Sequence, residues 1–168
     1  LPPSSETSRV IMGVSPANSN AVYVLAGNND GGYKGLYFSA NSGGSFATKS
    51  TTPNILSADY PPSGTGGQAG HDLAIAISPI DIDLLTVGGI SQYRSTDGGV
   101  TWNILTYWYG TDPLNPGGNP GIAPYLHADV QSLEYLPGSS NTMFATCDGS
   151  ISRTTDNGLT WTDLSNDL

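Results

Sequence analysis

The chain contains two histidines, and each stands beside an acid: Gly70-His71-Asp72 and His127-Ala128-Asp129. Two further acids, Asp30 and Asp148, sit in short turn-like segments, Asn28-Asn29-Asp30-Gly31-Gly32 and Cys147-Asp148-Gly149. Imidazoles mixed with carboxylates can hold a transition-metal ion or move protons in acid–base chemistry. Two carboxyls about 5–10 Å apart can cleave a glycosidic bond. Asp30, Asp72, Asp129 and Asp148 are therefore the catalytic candidates, and His71 and His127 the ligand-binding ones. The competing reading makes each of these groups an anchor that ties its loop to nearby backbone, and on that reading no metal or cofactor is expected. A third set is aromatic: Tyr107, Trp108, Tyr109 and Tyr125, with Tyr60 in another loop. Such rings can stack on sugars or form a small apolar core under a loop.

The elements that must position these residues repeat. Internal repeats are sought first, because missing one miscalls the whole fold. Residues 9–16, 72–79 and 129–137 each form an apolar run that ends in Ser-Pro or Leu-Pro. Each is followed by a second apolar run, a third, and a Gly-rich turn that leads into Phe46, Trp102 or Trp161. Pro16 to Pro79 is 63 positions and Pro79 to Pro137 is 58; Phe46 to Trp102 is 56 and Trp102 to Trp161 is 59. A period near sixty with four short strands per unit describes an all-β chain of three four-stranded antiparallel propeller blades. The blades fall at approximately 9–50, 72–106 and 129–165, with long connections at 51–71 and 107–128. Proline ends the first strand of each unit because it has no N–H to give the ladder.

Composition agrees with that architecture. The 168 residues carry 22 glycines and 12 prolines, which suits short strands and tight turns rather than a helical bundle. Charged residues are only 11%, and five basic residues against 14 acids give a net charge of −9. A nucleic-acid backbone or an anionic membrane surface needs clustered Lys and Arg, so neither partner is expected. No run approaches the roughly 18 apolar residues of a membrane span, and the first residues read as a linker or loop end. The single cysteine, Cys147, has no internal partner for a disulfide and reads as a small buried hydrophobe.

Three segments in register carry a family resemblance. Ser95-Thr96-Asp97-Gly98-Gly99-Val100-Thr101-Trp102 resembles an Asp box, S-x-D-x-G-x-T-W. Residues 154–161, with Asp156, Gly158 and Trp161, form a second with Thr in place of Ser. Residues 39–46 form a degenerate third, in which Asn41 replaces Asp and Ser45-Phe46 replaces Thr-Trp. The box chemistry is structural: a short Asp or Asn accepts hydrogen bonds from its own turn, glycine permits positive φ, and tryptophan packs between blades. The chain thus resembles secreted bacterial Asp-box (BNR-like) proteins and, more distantly, xyloglucan-cleaving hydrolases and sortilin-type propellers.

The resemblance has consequences. In these families the box joins the third and fourth strands on the face away from the active site. Both long connections, with their histidines, and the turns around Asp30 and Asp148 then share the opposite face. In the xyloglucan-cleaving enzymes the catalytic base is an Asp in a TDVGG-like turn; Asp30-Gly31-Gly32 matches it in part, with Asn29 where Thr is expected. Sialidases need an arginine triad, and Arg9, Arg94 and Arg153 lie on or beside strands. Sortilin-type receptors add a cysteine-rich module that this sequence lacks. The leading expectation is a non-catalytic binding or scaffold module of a secreted or cell-surface protein, taking a polysaccharide or protein ligand. A glycoside hydrolase and a purely structural assembly piece are the alternatives. Three blades do not close a ring, so the remaining blades are expected in the same chain or in associated copies.

Overall fold

A computed structural model describes residues 1–109 and 123–165. Residues 110–122 of the second long connection and residues 166–168 lie outside the described residues. A short 3-10 turn (Ser4–Glu6) precedes three four-stranded antiparallel sheets, each an up-and-down meander. The first comprises β1 (Arg9–Ser15), β2 (Asn18–Gly27), β3 (Tyr33–Ser39) and β4 (Ala47–Ser50). The second comprises β5 (Ala74–Ile77), β6 (Leu85–Gly88), β7 (Gln92–Ser95) and β8 (Asn103–Thr106). The third comprises β9 (Val130–Tyr135), β10 (Met143–Cys147), β11 (Ile151–Thr154) and β12 (Thr162–Asp163).

The sheets stack face to face, with first strand β1 against β5 and β5 against β9. Alternation along each strand decides what lies between them. Tyr23, Leu25 and Leu36 of the first sheet meet Leu73, Ile77, Leu85, Val87 and Tyr93 of the second in one core. Ala74 and Ala76 meet Val130, Leu133, Met143 and Ala145 in another. Gly88 lets the second and third sheets approach, since a Cβ there would lie 2.6 Å from Val130 Cγ1. Cys147 sits at the edge of the second core, and burial pushes its thiol up to about 12, away from the thiolate that a nucleophile needs.

The long 51–70 connection is tied into the body. Ile55, Leu56 and Ala69 are fully buried in the first core. Asn54 accepts a hydrogen bond from Tyr33 N–H (2.7 Å) and donates to Gly66 O (2.8 Å). Sequence reasoning weighed this segment by its Pro and Gly content and overlooked the Ile55-Leu56 pair, which removes enough apolar surface from water to fix the loop.

The β3–β4, β7–β8 and β11–β12 turns are built alike. Ser39, Ser95 and Thr154 each donate to the Asx side chain two residues on, at 2.8, 2.7 and 2.8 Å. The same hydroxyls accept from the N–H of Gly43, Gly99 and Gly158 at 2.9, 2.8 and 2.8 Å. Asn41, Asp97 and Asp156 then accept from the backbone N–H of Ser45, Thr101 and Thr160, each at 2.9 Å. Two consecutive left-handed residues complete each turn: Ser42-Gly43, Gly98-Gly99 and Asn157-Gly158. The first of each pair donates its N–H to the start of the second strand of its own sheet or the turn just before it, at Asn20 O, Asp83 O and Asn141 O (2.9, 3.0 and 3.0 Å). The ends with these turns are therefore the ends with Pro16, Pro79 and Pro137, and His71, Asp72 and Asp129 lie at the other.

Asp97 also accepts from the Thr101 hydroxyl (2.6 Å), and these bonds, the Thr101 hydroxyl first, hold its carboxyl down to about 2. A depressed carboxyl contributes stability above its unfolded value of 3.8 and loses it as the pH falls through about 2. The stability difference between wild type and Asp97→Asn is accordingly expected to be full above about pH 4 and to shrink below it. Urea unfolding at several pH values checks this; a pH-independent difference would contradict it.

Candidate functional site

Four of the candidate residues come together where the innermost strands begin. His71 and Asp72 close a turn ahead of β5, both donating their N–H to Gln68 O (2.7 and 3.0 Å). Arg9 of β1 holds the His71 carbonyl from the neighbouring sheet (2.9 Å). Asp129 takes a left-handed conformation (φ 65°), and the next residue, Val130, donates its N–H to Gly89 O at 2.9 Å. Aspartate is among the few residues that tolerate this region. Asp148 stands in the β10–β11 turn, which Cys147 N–H closes on Ser150 O (2.9 Å).

His71 Nε2 lies 3.0 Å from Asp148 Oδ2. Gln131 of β9 donates to Asp148 Oδ1 at 2.8 Å, and its Nε2 lies 3.3 Å from His71 Nε2. One ligating atom from each of His71, Asp129 and Asp148 falls within 4.8 Å of the other two. The hydrogen bond to Asp148 raises the His71 pKa, and the contacts from His71 and then Gln131 lower that of Asp148. These are the directions of an ion pair open to solvent.

Asp72 lies beneath this surface group and is 1% exposed. Burial first, and then the charge of Asp129, pushes its carboxyl up to about 7. Neither Asp72 oxygen has a hydrogen-bond partner, and Asp129 Oδ1 is buried without one. The two carboxyls are within hydrogen-bonding reach of each other, which becomes a bond only when one carries a proton.

Asp30 and His127 do not join this group. Asp30 is exposed, and its backbone is fixed by Asn28 Oδ1 (2.9 Å) and by Gly67 N–H (3.1 Å). The His127 ring packs over Gly149, where a Cβ would lie 2.5 Å from it, and its Nδ1 is 3.1 Å from Ala128 O. Sequence reasoning missed Gln131 and Arg9, which set the geometry of the group. The signal for Arg9 was present: it occupies the same repeat position as Asp72 and Asp129.

The aromatic residues form a row on the second sheet at its loop-bearing end. Ring centroids lie 6.1 Å apart for Tyr60–Tyr107, 6.4 Å for Tyr107–Trp108 and 5.3 Å for Trp108–Tyr109, all edge to face. Trp108 Nε1 donates to Ala58 O (2.9 Å), which fastens the row to the 51–70 connection. Tyr107 bridges to Tyr125, and Tyr60, Tyr109 and Tyr125 are each at least 40% exposed. The row thus presents ring surface to solvent on a fixed backbone.

No protein-family model matches the chain, and no curated protein matches it. Solved structures do. YCF48 bound to D1 peptide matches with a TM-score of 0.55 and 13% identity, over 96% of this chain and 41% of that one. The GH74 xyloglucanase from Xanthomonas campestris matches with a TM-score of 0.59 and 17% identity, over 95% of this chain and 23% of that one. An ancestral GH74 enzyme matches with a TM-score of 0.56 and 15% identity, over 95% and 18%. The chain spans less than half the length of each, and at these identities the likeness is one of fold. Three four-stranded antiparallel meanders packed side by side, matched over nearly their whole length by propeller proteins, make this chain a β-propeller in fold.

Proposed function

We propose that the chain is a non-catalytic propeller module, in a secreted or cell-surface protein, that binds a neutral glycan on its loop-bearing face. The observation that carries this reading is the edge-to-face row of Tyr60, Tyr107, Trp108 and Tyr109, exposed at its two end rings and held in place by the Trp108–Ala58 hydrogen bond. Fixed rings cost little conformational entropy on binding and suit the C–H-rich faces of sugars. We read the three hydroxyl–Asx–glycine turns as Asp boxes whose role is to hold the blades. The exposed apolar face of β1, with Val10, Met12 and Val14, is read as the surface that further blades cover, in the same protein or in associated copies.

The hydrolase reading is less well supported. Asp72 has no surface with which to meet a substrate, and Asp30, its proposed companion, stands outside the cluster. A protein ligand is the other reading, since one structural neighbour is a propeller bound to a peptide. Affinity electrophoresis in xyloglucan, cellulose derivatives and mannan separates these readings. Retardation by at least one polysaccharide is expected, and Tyr109→Ala is expected to weaken it about three- to tenfold, the worth of one stacked ring. Unretarded migration in all of them would discard the glycan reading.

A further inference from the structure

We propose that His71, Asp129 and Asp148 form a binding site for one divalent transition-metal ion, with the buried Asp72 carboxylate behind it and Gln131 orienting Asp148. The first ground is geometry. One ligating atom from each of the three residues lies within 4.8 Å of the others, and His71 Nε2 and Asp148 Oδ2 are 3.0 Å apart. Two donors on a tetrahedral zinc ion with bonds near 2.0–2.1 Å lie about 3.3 Å apart, so this pair is already at ligand spacing. Rotation about the Asp129 side chain can bring its carboxyl in as the third donor.

The second ground is independent. Asp72 is 1% exposed, neither of its oxygens has a partner, and its carboxyl faces Asp129, whose Oδ1 is also buried and unpaired. A buried carboxyl whose oxygens have no hydrogen-bond partner is costly in a protein interior. Of the nearby basic groups among the described residues, Arg9 spends its reach on the His71 carbonyl and the His71 ring is held by Asp148. A cation seated on Asp129 gives the unpaired oxygens a partner. Gln131 resembles the outer partners of metal ligands, since it holds Asp148 through Oδ1 and leaves Oδ2 for the ion.

The donor set selects the ion. A neutral imidazole with carboxylates suits zinc or manganese, whereas calcium and magnesium prefer oxygen alone. His71 and Asp148 are half-exposed, so the ion has a path in and keeps coordination positions for water or a ligand. This inference does not rest on the aromatic row, and its test uses the metal alone.

Isothermal titration of the chelator-stripped chain with zinc chloride near neutral pH is the test. One saturable site per chain is expected. His71→Gln and Asp148→Asn, both on exposed side chains, are each expected to weaken it about tenfold or more, and Glu134→Gln on β9 to leave it unchanged. Asp72→Asn is expected to weaken zinc binding and, in EDTA, to raise the melting temperature by removing the unpartnered buried carboxyl. The proposal fails if zinc does not saturate a site on the folded wild-type chain, which would leave a shared proton as the sole link between Asp72 and Asp129. It fails equally if the site survives both His71→Gln and Asp148→Asn.

Discussion

Gly99→Ala is expected to destabilise the protein by about 3–5 kcal/mol, from left-handed strain and overpacking together. Gly99 has φ +84°, and a Cβ there would stand 2.0 Å from Leu36 Cδ2 of the neighbouring sheet. Leu36 cannot yield cheaply, because it is fully buried among Tyr23, Leu25, Leu85 and Val87. The equivalent glycines grade the effect. Gly158 would place its Cβ 2.6 Å from Leu105 Cδ2, and Gly43 meets only Phe46 at 3.9 Å. Urea unfolding of the three alanine variants should rank Gly99 above Gly158 above Gly43. Equal losses at all three would mean that local strain alone explains the glycine and that the close sheet–sheet approach plays no part.

Trp102→Ala is expected to cost about 3–5 kcal/mol, as for other large aromatic truncations. Its ring packs against the first core, and its Nε1 donates to Ser50 Oγ (3.1 Å) on β4 of the first sheet. Ser50 is a junction: its hydroxyl donates to Gly99 O (2.6 Å) and lies 2.8 Å from Tyr33 Oη. Trp102 thus latches the second sheet to the first through both apolar contact and a shared hydroxyl. Trp161 makes a different bond, from Nε1 to Gly158 O of its own turn (3.0 Å). Trp102→Phe should therefore lose about 1 kcal/mol beyond its change in packing, whereas Trp161→Phe loses no link between sheets. Thermal or urea unfolding of the variants reads this directly; a Trp102→Ala variant as stable as wild type would remove the latch from the account.

The sheets were legible in the sequence because their signals are local and repeated. The prolines, the turn glycines Gly43, Gly99 and Gly158 and the aromatic after each turn recur at one period, and the prolines and glycines mark backbone needs that few other residues meet. What the sequence hid was long-range. Ile55 and Leu56 look like two apolar residues in a Pro- and Gly-rich loop, and only the fold shows that they enter the first core. The grouping of His71 with Asp148 spans 77 positions and joins two different sheets. Asp30 matched a catalytic turn by local pattern, yet its turn folds against residues 66–67 of the long connection. Gln131 carried no signal, because a lone glutamine on a strand reads as solvent-facing until its neighbours are placed.

The central claim, a propeller face that binds a neutral glycan without cleaving it, is tested most directly by incubating the chain with xyloglucan and following retention and release of reducing ends together. The account predicts retention that Tyr109→Ala weakens, with no reducing ends above background. Release of reducing ends that stops on substitution of Asp129 or Asp148 would contradict it and make the carboxylate cluster catalytic.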